Sequence, residues 1–212
     1  MSRKNKTWYA ILGLLSWKPM SGYDIHKLVD MGLSHFWSES YGQLFPTLSR
    51  LVEEGLASRG GDTGTGRRKK HIYRITAKGR RAFRNWLGEP SDEPRVRNEL
   101  QLKFFLTSRS DPAESLRLLD EYREQQAERL RDYRESAMVL ERVLETQTVP
   151  DELMEVENLL DWKKWGAGKE RDAEIRVFHL TLRHGILAIE ARLAWIEEAI
   201  RSLNAGAENN GG

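Results

Sequence analysis

The stretch Ser38–Leu56, SESYGQLFPTLSRLVEEGL, predicts one short helix with a start signal, a buried face and a defined end. Ser40 and Gln43 have the spacing of a capping box, in which a hydroxyl and an amide each satisfy a free backbone N–H. Gly55 ends the helix because glycine tolerates a positive φ. Pro46 has no backbone N–H, so we expect a kink near it or a helix that becomes regular only after it. The apolar stripe is formed by Leu44, Leu48, Leu51 and Val52.

The other face of this helix is polar. Its side chains are donors and acceptors of the kind that reach base edges and phosphates in a major groove. They are Tyr41, Gln43, Thr47, Ser49 and Arg50. A short helix with a polar face is more often a solvated surface helix than a DNA reader, so the neighbouring segments decide between these interpretations.

Two helices are predicted before this stretch. The first, Trp8–Trp17, is so apolar that Ala10, Ile11, Leu14 and Leu15 can face a core while Trp8, Tyr9 and Leu12 pack elsewhere, for example against a second subunit. The second begins at Ser21, a suitable N-cap, and runs to about Asp30. A connector containing Phe36 and Trp37 then leads to the helix at Ser40–Glu54. Two short helices joined in this way are typical of a helix-turn-helix.

A β-hairpin is predicted after this helix pair. Leu56–Arg59 and His71–Ile75 have strand character, and a glycine-rich turn lies between them. The turn ends in four cations, Arg67, Arg68, Lys69 and Lys70. A lone run of cations is usually solvated, but a hairpin after a helix-turn-helix is a wing, and each cation that meets a phosphate releases counterions.

Thr76 is expected to cap the next helix, Ala77–Leu87. Phe83, Trp86 and Leu87 should pack on the winged unit. The exposed cations of this helix extend the basic surface, and they are Lys78, Arg80, Arg81 and Arg84. The segment 88–94, rich in glycine, proline and acidic residues, predicts a linker.

The second half of the chain predicts long helices. Arg97–Leu106 is amphipathic, and a charged helix runs from the Asp111 cap to about Glu145. Glu170–Leu203 is the last helix. Both long helices carry apolar residues that step by threes and fours, a coiled-coil-like seam that must pair within the chain, with a partner chain, or both. Between them, 153–165 predicts helix and loop, with Trp162 and Trp165 buried against the last helix.

The predicted fold is therefore mainly α, with two domains and a tail. Residues 1–90 form a winged helix-turn-helix DNA-binding domain with a small β-hairpin wing, residues 91–204 a long-helix dimerisation and effector domain, and residues 205–212 a disordered tail. Charge supports this division, because residues 1–100 hold 18 Lys and Arg against 10 Asp and Glu, whereas residues 101–212 hold 16 against 22. A basic half predicts a polyanionic partner.

Several classes of protein are excluded by the composition. The chain has no cysteine, so it has no disulfide or cysteine-ligated metal, and no run of about 18 apolar residues that would span a membrane. We expect no signal peptide and a cytoplasmic location. No nucleotide-binding or metalloprotease motif is present, and His179 and His184 are five residues apart, so we expect no catalytic residue, cofactor or metal and no enzyme.

Characteristic runs of residues extend over most of the range 8–106. They are Ile11-Leu12-Gly13-Leu14-Leu15, Pro19-Met20-Ser21-Gly22-Tyr23-Asp24-Ile25, Phe36-Trp37, Ser40-Tyr41-Gly42-Gln43, Phe45-Pro46, Glu54-Gly55-Leu56, Gly66-Arg67, Ile75-Thr76 and Lys103-Phe104-Phe105. In these runs the chain resembles the PadR family of bacterial transcriptional regulators. The second half is similar to the long helical domain of one subgroup of that family.

The resemblance implies a homodimer that binds a palindromic operator, usually as a repressor. It implies that the first helix and the C-terminal helices make the dimer contact. It places Tyr41, Gln43 and neighbouring residues in the major groove and the Gly66-Arg67 region near the minor groove or backbone. In the family a proline often follows this arginine, whereas Arg68 stands here and adds charge.

The resemblance also implies a small-molecule inducer, often aromatic, held at the dimer interface. Of the seven tryptophans, four are expected to line such a pocket: Trp8, Trp37, Trp162 and Trp165. The predicted DNA contacts are Ser40, Tyr41, Gln43, Thr47, Arg50, Arg67, Arg68, Lys69 and Lys70. The alternative is a winged-helix module that binds another protein without specific DNA binding.

Overall fold

A computed structural model of the chain describes residues 6–30, 41–63, 70–93, 98–107, 112–153 and 169–209. Its elements are α1 (Lys6–Trp17), β1 (Met20–Ser21), α2 (Gly22–Leu28), α3 (Tyr41–Glu53), β2 (Ala57–Thr63), β3 (Lys70–Ile75), α4 (Ala77–Leu87), α5 (Glu99–Leu106), α6 (Pro112–Thr146), a 3₁₀ turn (Asp151–Leu153) and α7 (Lys169–Asn209). The chain divides into two compact units, Met1–Asp92 with Val149–Ala167, and Glu93–Thr148 with Gly168–Gly212. The predicted fold class, mainly α with a small β-hairpin and long C-terminal helices, is confirmed.

The first unit holds a three-stranded antiparallel sheet in the order β1-β3-β2. Met20 pairs with Tyr73 and Ser21 with Ile72, while Ala57 pairs with Ile75 at the base of the hairpin. Strand β1 has only two residues, too few to show the alternating pattern by which a strand is predicted. This third strand was therefore not predicted.

The core of the first unit is formed where α1, α3 and the sheet meet. Its most buried members are Ile11, Leu12, Leu15, Met20, Ile25, Leu48 and Leu51. The expectation that Leu12 packs outside this core is wrong, because α1 contacts α3, α4 and β3 and is therefore covered on several sides. Tyr9 likewise has a partner within the chain, since its ring stacks on Trp86 of α4 at 4.8 Å between ring centroids.

Local hydrogen bonds fix the starts of α2 and α4. Ser21 caps α2, and its backbone N–H and hydroxyl both donate to the Asp24 carboxylate, while the Asp24 N–H donates back to Ser21 Oγ. The Gly79 N–H donates to Thr76 Oγ1 at 3.0 Å, as predicted for the cap of α4. Leu87 is 60 % exposed, against expectation. It follows Trp86 by one residue, and because neighbouring helical residues point in different directions, it does not share the face on which Trp86 stacks on Tyr9 of α1.

In the second unit α6 and α7 pack on each other. Their shared cluster comprises Leu130, Ala137, Leu182, Ile186 and Ile189. Polar links flank it: Arg134 pairs with Glu190 at 2.7 Å and Arg123 with Glu197 at 3.3 Å. The partner numbers fall as the α6 numbers rise, so the two helices are antiparallel. Of the open alternatives, pairing within the chain is observed.

The C-terminal helix is longer than predicted. We expected residues 205–212 to be a disordered tail, but α7 continues to Asn209. The segment after Leu203 contains Ala205, Ala207 and Glu208, which favour helix, and no proline that would stop it. Residues 210–212 lie outside the described part of the chain, as does the range 154–168.

Candidate nucleic-acid interface

The start of α2 lies directly against α3. A Cβ atom built on Gly22 would be 2.6 Å from Cε1 of the Phe45 ring and 3.4 Å from a methyl carbon of Leu48. A side chain at this position would have to displace the Phe45 ring, so glycine is the residue that lets the two helices approach this closely. The pair α2 and α3 thus forms the predicted helix-turn-helix, with α3 as its second helix.

The outward face of α3 presents polar side chains along its length. Gln43 and Arg50 are both exposed and are seven residues apart, which is two turns, so they lie on one stripe of the helix. Ser49 is exposed on the same side. These side chains can reach base edges and phosphates at two levels of a groove.

Thr47 does not belong to this outward face. It is 5 % exposed, because it lies one turn after Leu44 and one turn before Leu51, within the stripe that faces the core. Its predicted exposure is wrong, and a groove contact by its side chain is inconsistent with this position. Ser40 lies outside the described residues, and so does the side chain of Tyr41.

Pro46 lies inside α3, which begins five residues earlier at Tyr41. The expectation that the helix becomes regular only after Pro46 is therefore wrong. A proline at this point removes one backbone hydrogen bond, to the carbonyl of Gly42. Gly42 is exposed, so water can solvate that carbonyl.

The wing is an antiparallel hairpin directly after α3. β2 extends to Thr63, beyond the predicted end at Arg59, and a register shift lies between Gly60 and Thr63. Residues 64–69 are outside the described part, so the structure does not place Arg67, Arg68 or Lys69. The backbone of Lys70 begins β3, and its side chain is not described.

Helix α4 carries the cations expected on its exposed side. Lys78 Nζ donates to the carbonyl oxygen of Glu54 at 2.6 Å, and Arg80 donates to that of Ser16 at 3.4 Å. Arg81 and Arg84 are exposed. Two of the four cations therefore bind the ends of α3 and α1, a role that the charge pattern did not reveal.

The expected tryptophan pocket is described at only one of its four members. Trp8 is half-buried, and its indole Nε1 is buried with no hydrogen-bond partner among the residues that the structure describes. Trp37, Trp162 and Trp165 lie outside the described residues. The stack of Tyr9 on Trp86 was not predicted, because no local pattern joins residues of α1 and α4.

Metal-binding groups and membrane-spanning helices can be assessed for the described ranges. Within them, no three His, Asp or Glu side chains gather into a group that could hold a metal ion. No helix among them combines the length and apolarity that a membrane crossing requires.

A three-helix core with a hairpin after the second helix of a helix-turn-helix defines a winged-helix protein. Residues 11–85 match the model of the transcriptional regulator PadR-like family, and residues 96–204 match the model named Virulence activator alpha C-term. The chain therefore combines a domain of the transcriptional regulator PadR-like family with a C-terminal domain of the virulence-activator type. The resemblance in the sequence is thereby confirmed, as is the expectation of a regulator rather than an enzyme.

A relative and two solved structures illustrate the similarity. The negative transcriptional regulator PadR of Bacillus subtilis is 37 % identical over 102 residues, which are 47 % of this chain and 56 % of that protein. The match therefore spans little more than half of that relative. The structure of Bacillus subtilis PadR with operator DNA has a TM-score of 0.71 at 22 % identity, over 94 % of this chain and 99 % of that one. The structure with p-coumaric acid has a TM-score of 0.67 at 24 % identity, with the same coverage.

Proposed function

We propose that the protein is a dimeric, sequence-specific DNA-binding repressor that a small aromatic ligand releases from its operator. The observation that carries the proposal is the exposed stripe of α3, with Gln43 and Arg50, and this helix is followed by a hairpin whose connecting sequence is basic. Base edges are read by such side chains, whereas phosphates hold the protein in register. The Bacillus subtilis relative is named a negative regulator, and a similar structure contains operator DNA.

The contacts divide by chemistry. Ser40, Tyr41, Gln43 and Arg50 act in the major groove, and Thr47 is left out because it is buried. Arg67, Arg68, Lys69 and Lys70 bind phosphates at the wing tip. Residues 1–90 form the DNA-binding domain and residues 91–204 the dimerisation and effector domain. A DNA partner also supports a cytoplasmic location.

Exposed apolar side chains of the second unit support the dimer. They are 54 to 74 % exposed, and they are Leu102, Phe105, Leu106, Met138, Val177, Leu180 and Leu187. Exposed apolar side chains mark an interaction site where they are contiguous, and Val177, Leu180 and Leu187 lie on one stripe of α7 because they are spaced by three and seven residues. A two-fold dimer covers the same surface on both copies and reads a palindromic operator.

Two observations support an effector site: a buried indole nitrogen in the first unit and the ligand in one similar structure. The buried Nε1 of Trp8 is a donor that has no acceptor within the described ranges, and a bound ligand with a carboxylate or hydroxyl would supply one. One similar structure contains p-coumaric acid. Trp8 is proposed to line the pocket with Trp37, Trp162 and Trp165.

Fluorescence anisotropy tests the proposal directly. The protein is titrated into labelled DNA from just upstream of its own gene and into a random duplex, each over a series of salt concentrations. We expect tighter binding to the upstream DNA, a steep loss with salt, and release by p-coumaric acid. Binding to neither duplex at low salt would contradict DNA recognition and favour the protein-binding module instead.

A further inference from the structure

One face of the wing hairpin is buried in the core at the base of the hairpin and becomes exposed toward the tip. At its base Ala57 and Ile75 lie opposite each other and are 2 % and 9 % exposed. The next pair on this face is Arg59 with Tyr73, and Tyr73 is 7 % exposed. Directly paired residues point to the same side of a sheet, so Arg59 shares the face that is buried lower down.

His71 belongs to the same face, because it is two residues from Tyr73. Arg59 Nη2 donates a hydrogen bond to His71 Nε2 across the two strands. The bonded pair Arg59 and His71 lies on this face directly beyond the buried residues, toward the tip of the hairpin. Because β2 packs against α3, Arg59 lies on the side of the hairpin where α3 is.

The charge of Arg59 is not neutralised by this bond. A guanidinium has only donors, so His71 Nε2 accepts and the imidazole adds no compensating negative charge. No carboxylate among the side chains that the structure describes pairs with Arg59. Among the described residues this bond uses one of its five N–H groups, and two of the others, side by side, match the geometry of a phosphate.

We propose that Arg59 is a phosphate-binding residue of the wing stem, and that His71 is the positioning residue that holds its guanidinium. This inference rests on the proposed DNA-binding function. It adds a phosphate contact by Arg59, located between the contacts of α3 in the groove and those of the wing tip. Holding the arginine in place before binding reduces the side-chain entropy that the contact would otherwise lose.

Arg74 provides a matched control in the same hairpin. It pairs with Ser58 on the opposite face, and its Nε lies 3.7 Å from where a Cβ on Gly60 would stand. Arg74 is exposed like Arg59 and has the same charge. The two arginines therefore differ mainly in the face of the wing from which they project.

The experiment compares Arg59→Ala and Arg74→Ala on a random duplex, so that no operator needs to be known, with thermal melts to verify folding. We expect Arg59→Ala to weaken binding about tenfold, as for the loss of one charge-assisted contact, and to reduce the slope of log K against log salt by about 0.9. Arg74→Ala should stay within about twofold of the wild type with its slope unchanged.

The role of His71 is tested by a double-mutant cycle. His71→Ala should weaken binding about threefold when Arg59 is present and have no effect in the Arg59→Ala background, since the coupling lies in one contact. His71→Gln should restore binding, because the amide oxygen also accepts a hydrogen bond.

Three results would overturn the inference. Equal losses from the two arginine variants would mean a diffuse charge effect, and a wild-type affinity for Arg59→Ala would mean no contact. Additive effects of His71→Ala and Arg59→Ala would remove the positioning role. Failure of the wild type to bind both this random duplex and the upstream DNA at low salt is distinguishable from these results, because it overturns the proposed function itself.

Discussion

Gly22 and Phe45 touch across the helix-turn-helix: a Cβ on Gly22 would lie 2.6 Å from Cε1 of the Phe45 ring. Phe45 is 41 % exposed and can turn outward, so the space for a methyl group is obtained by moving a side chain. At Gly79 the nearest atom is instead the carbonyl oxygen of Leu56, 2.0 Å away, which only the backbone can move.

We therefore predict that Gly22→Ala lowers the free energy of unfolding by about 1–3 kcal/mol, as overpacking does, and weakens DNA binding by shifting α2 against α3. Gly79→Ala should be more damaging than Gly22→Ala. Denaturant unfolding of both variants measures the ranking, and Gly42→Ala is the control because nothing lies within 4 Å of its Cβ position. Equal losses at Gly22 and Gly79 would contradict the packing described.

Replacing Gln43 tests base reading by α3. Gln43→Ala should relax the sequence preference by about 1–3 kcal/mol at one base pair and leave random DNA unaffected. Because Gln43 is exposed, the free energy of unfolding should stay within about 0.5 kcal/mol of the wild type. Binding to a set of single-base operator variants is the measurement, and an equal loss on specific and random DNA would refute base reading by this residue.

The wing tip should act on all DNA alike. The double change Arg68→Ala with Lys69→Ala should weaken specific and random binding equally and flatten the salt slope by up to about two units. Anisotropy titrations over a range of salt concentrations measure both effects. A loss confined to the operator would instead assign these cations to sequence readout.

Substitutions at two neighbouring residues of α7 should affect folding and dimerisation separately. Ile186 is 1 % exposed in the cluster shared with α6, so Ile186→Ala should lower the free energy of unfolding by about 2–5 kcal/mol. Leu187 is 54 % exposed, so Leu187→Asp should leave the helix pair folded and dissociate the proposed dimer. Sedimentation and circular dichroism report the two effects, and a Leu187→Asp protein that remains dimeric would remove this residue from the interface.

Tyr133 should make the helix pair sensitive to alkali. Burial raises its pKa above the ordinary value of 10.0, and the charge of Arg129 partly opposes this. Because the folded state keeps the proton longer, the stability this provides is complete below about pH 10 and is lost as pH rises through the raised pKa. Tyr133→Phe should lose less stability than the wild type between about pH 8 and about pH 11.

Urea unfolding at both pH values measures the difference. Tyr122→Phe, also half-buried on α6, controls for the loss of a hydroxyl. An identical loss of stability in wild type and Tyr133→Phe would mean that Tyr133 titrates alike in both states.

Local signals in the sequence were sufficient for several elements. The bounds of α4 were predicted without error, because Thr76 caps it through the Gly79 N–H and Gly88 follows its last residue. The start of α2 was predicted from Ser21 and Asp24, which bond each other three residues apart. Gln43 and Arg50 were predicted on the outward face of α3, because helical spacing alone places them there.

Other features depended on contacts between distant parts of the chain. The strand at Met20–Ser21 exists through its pairing with β3, and Leu12 is buried because α1 is covered by three other elements. Thr47 is polar, yet its place between Leu44 and Leu51 turns it to the core. The sequence by itself determined most of the helices, the caps at Ser21 and Thr76 and the PadR-like resemblance, since these follow from residues close together along the chain. Only the tertiary structure decided that Arg59 meets His71, because that contact depends on strand register, which is set by the packing of the whole hairpin on α1 and α3.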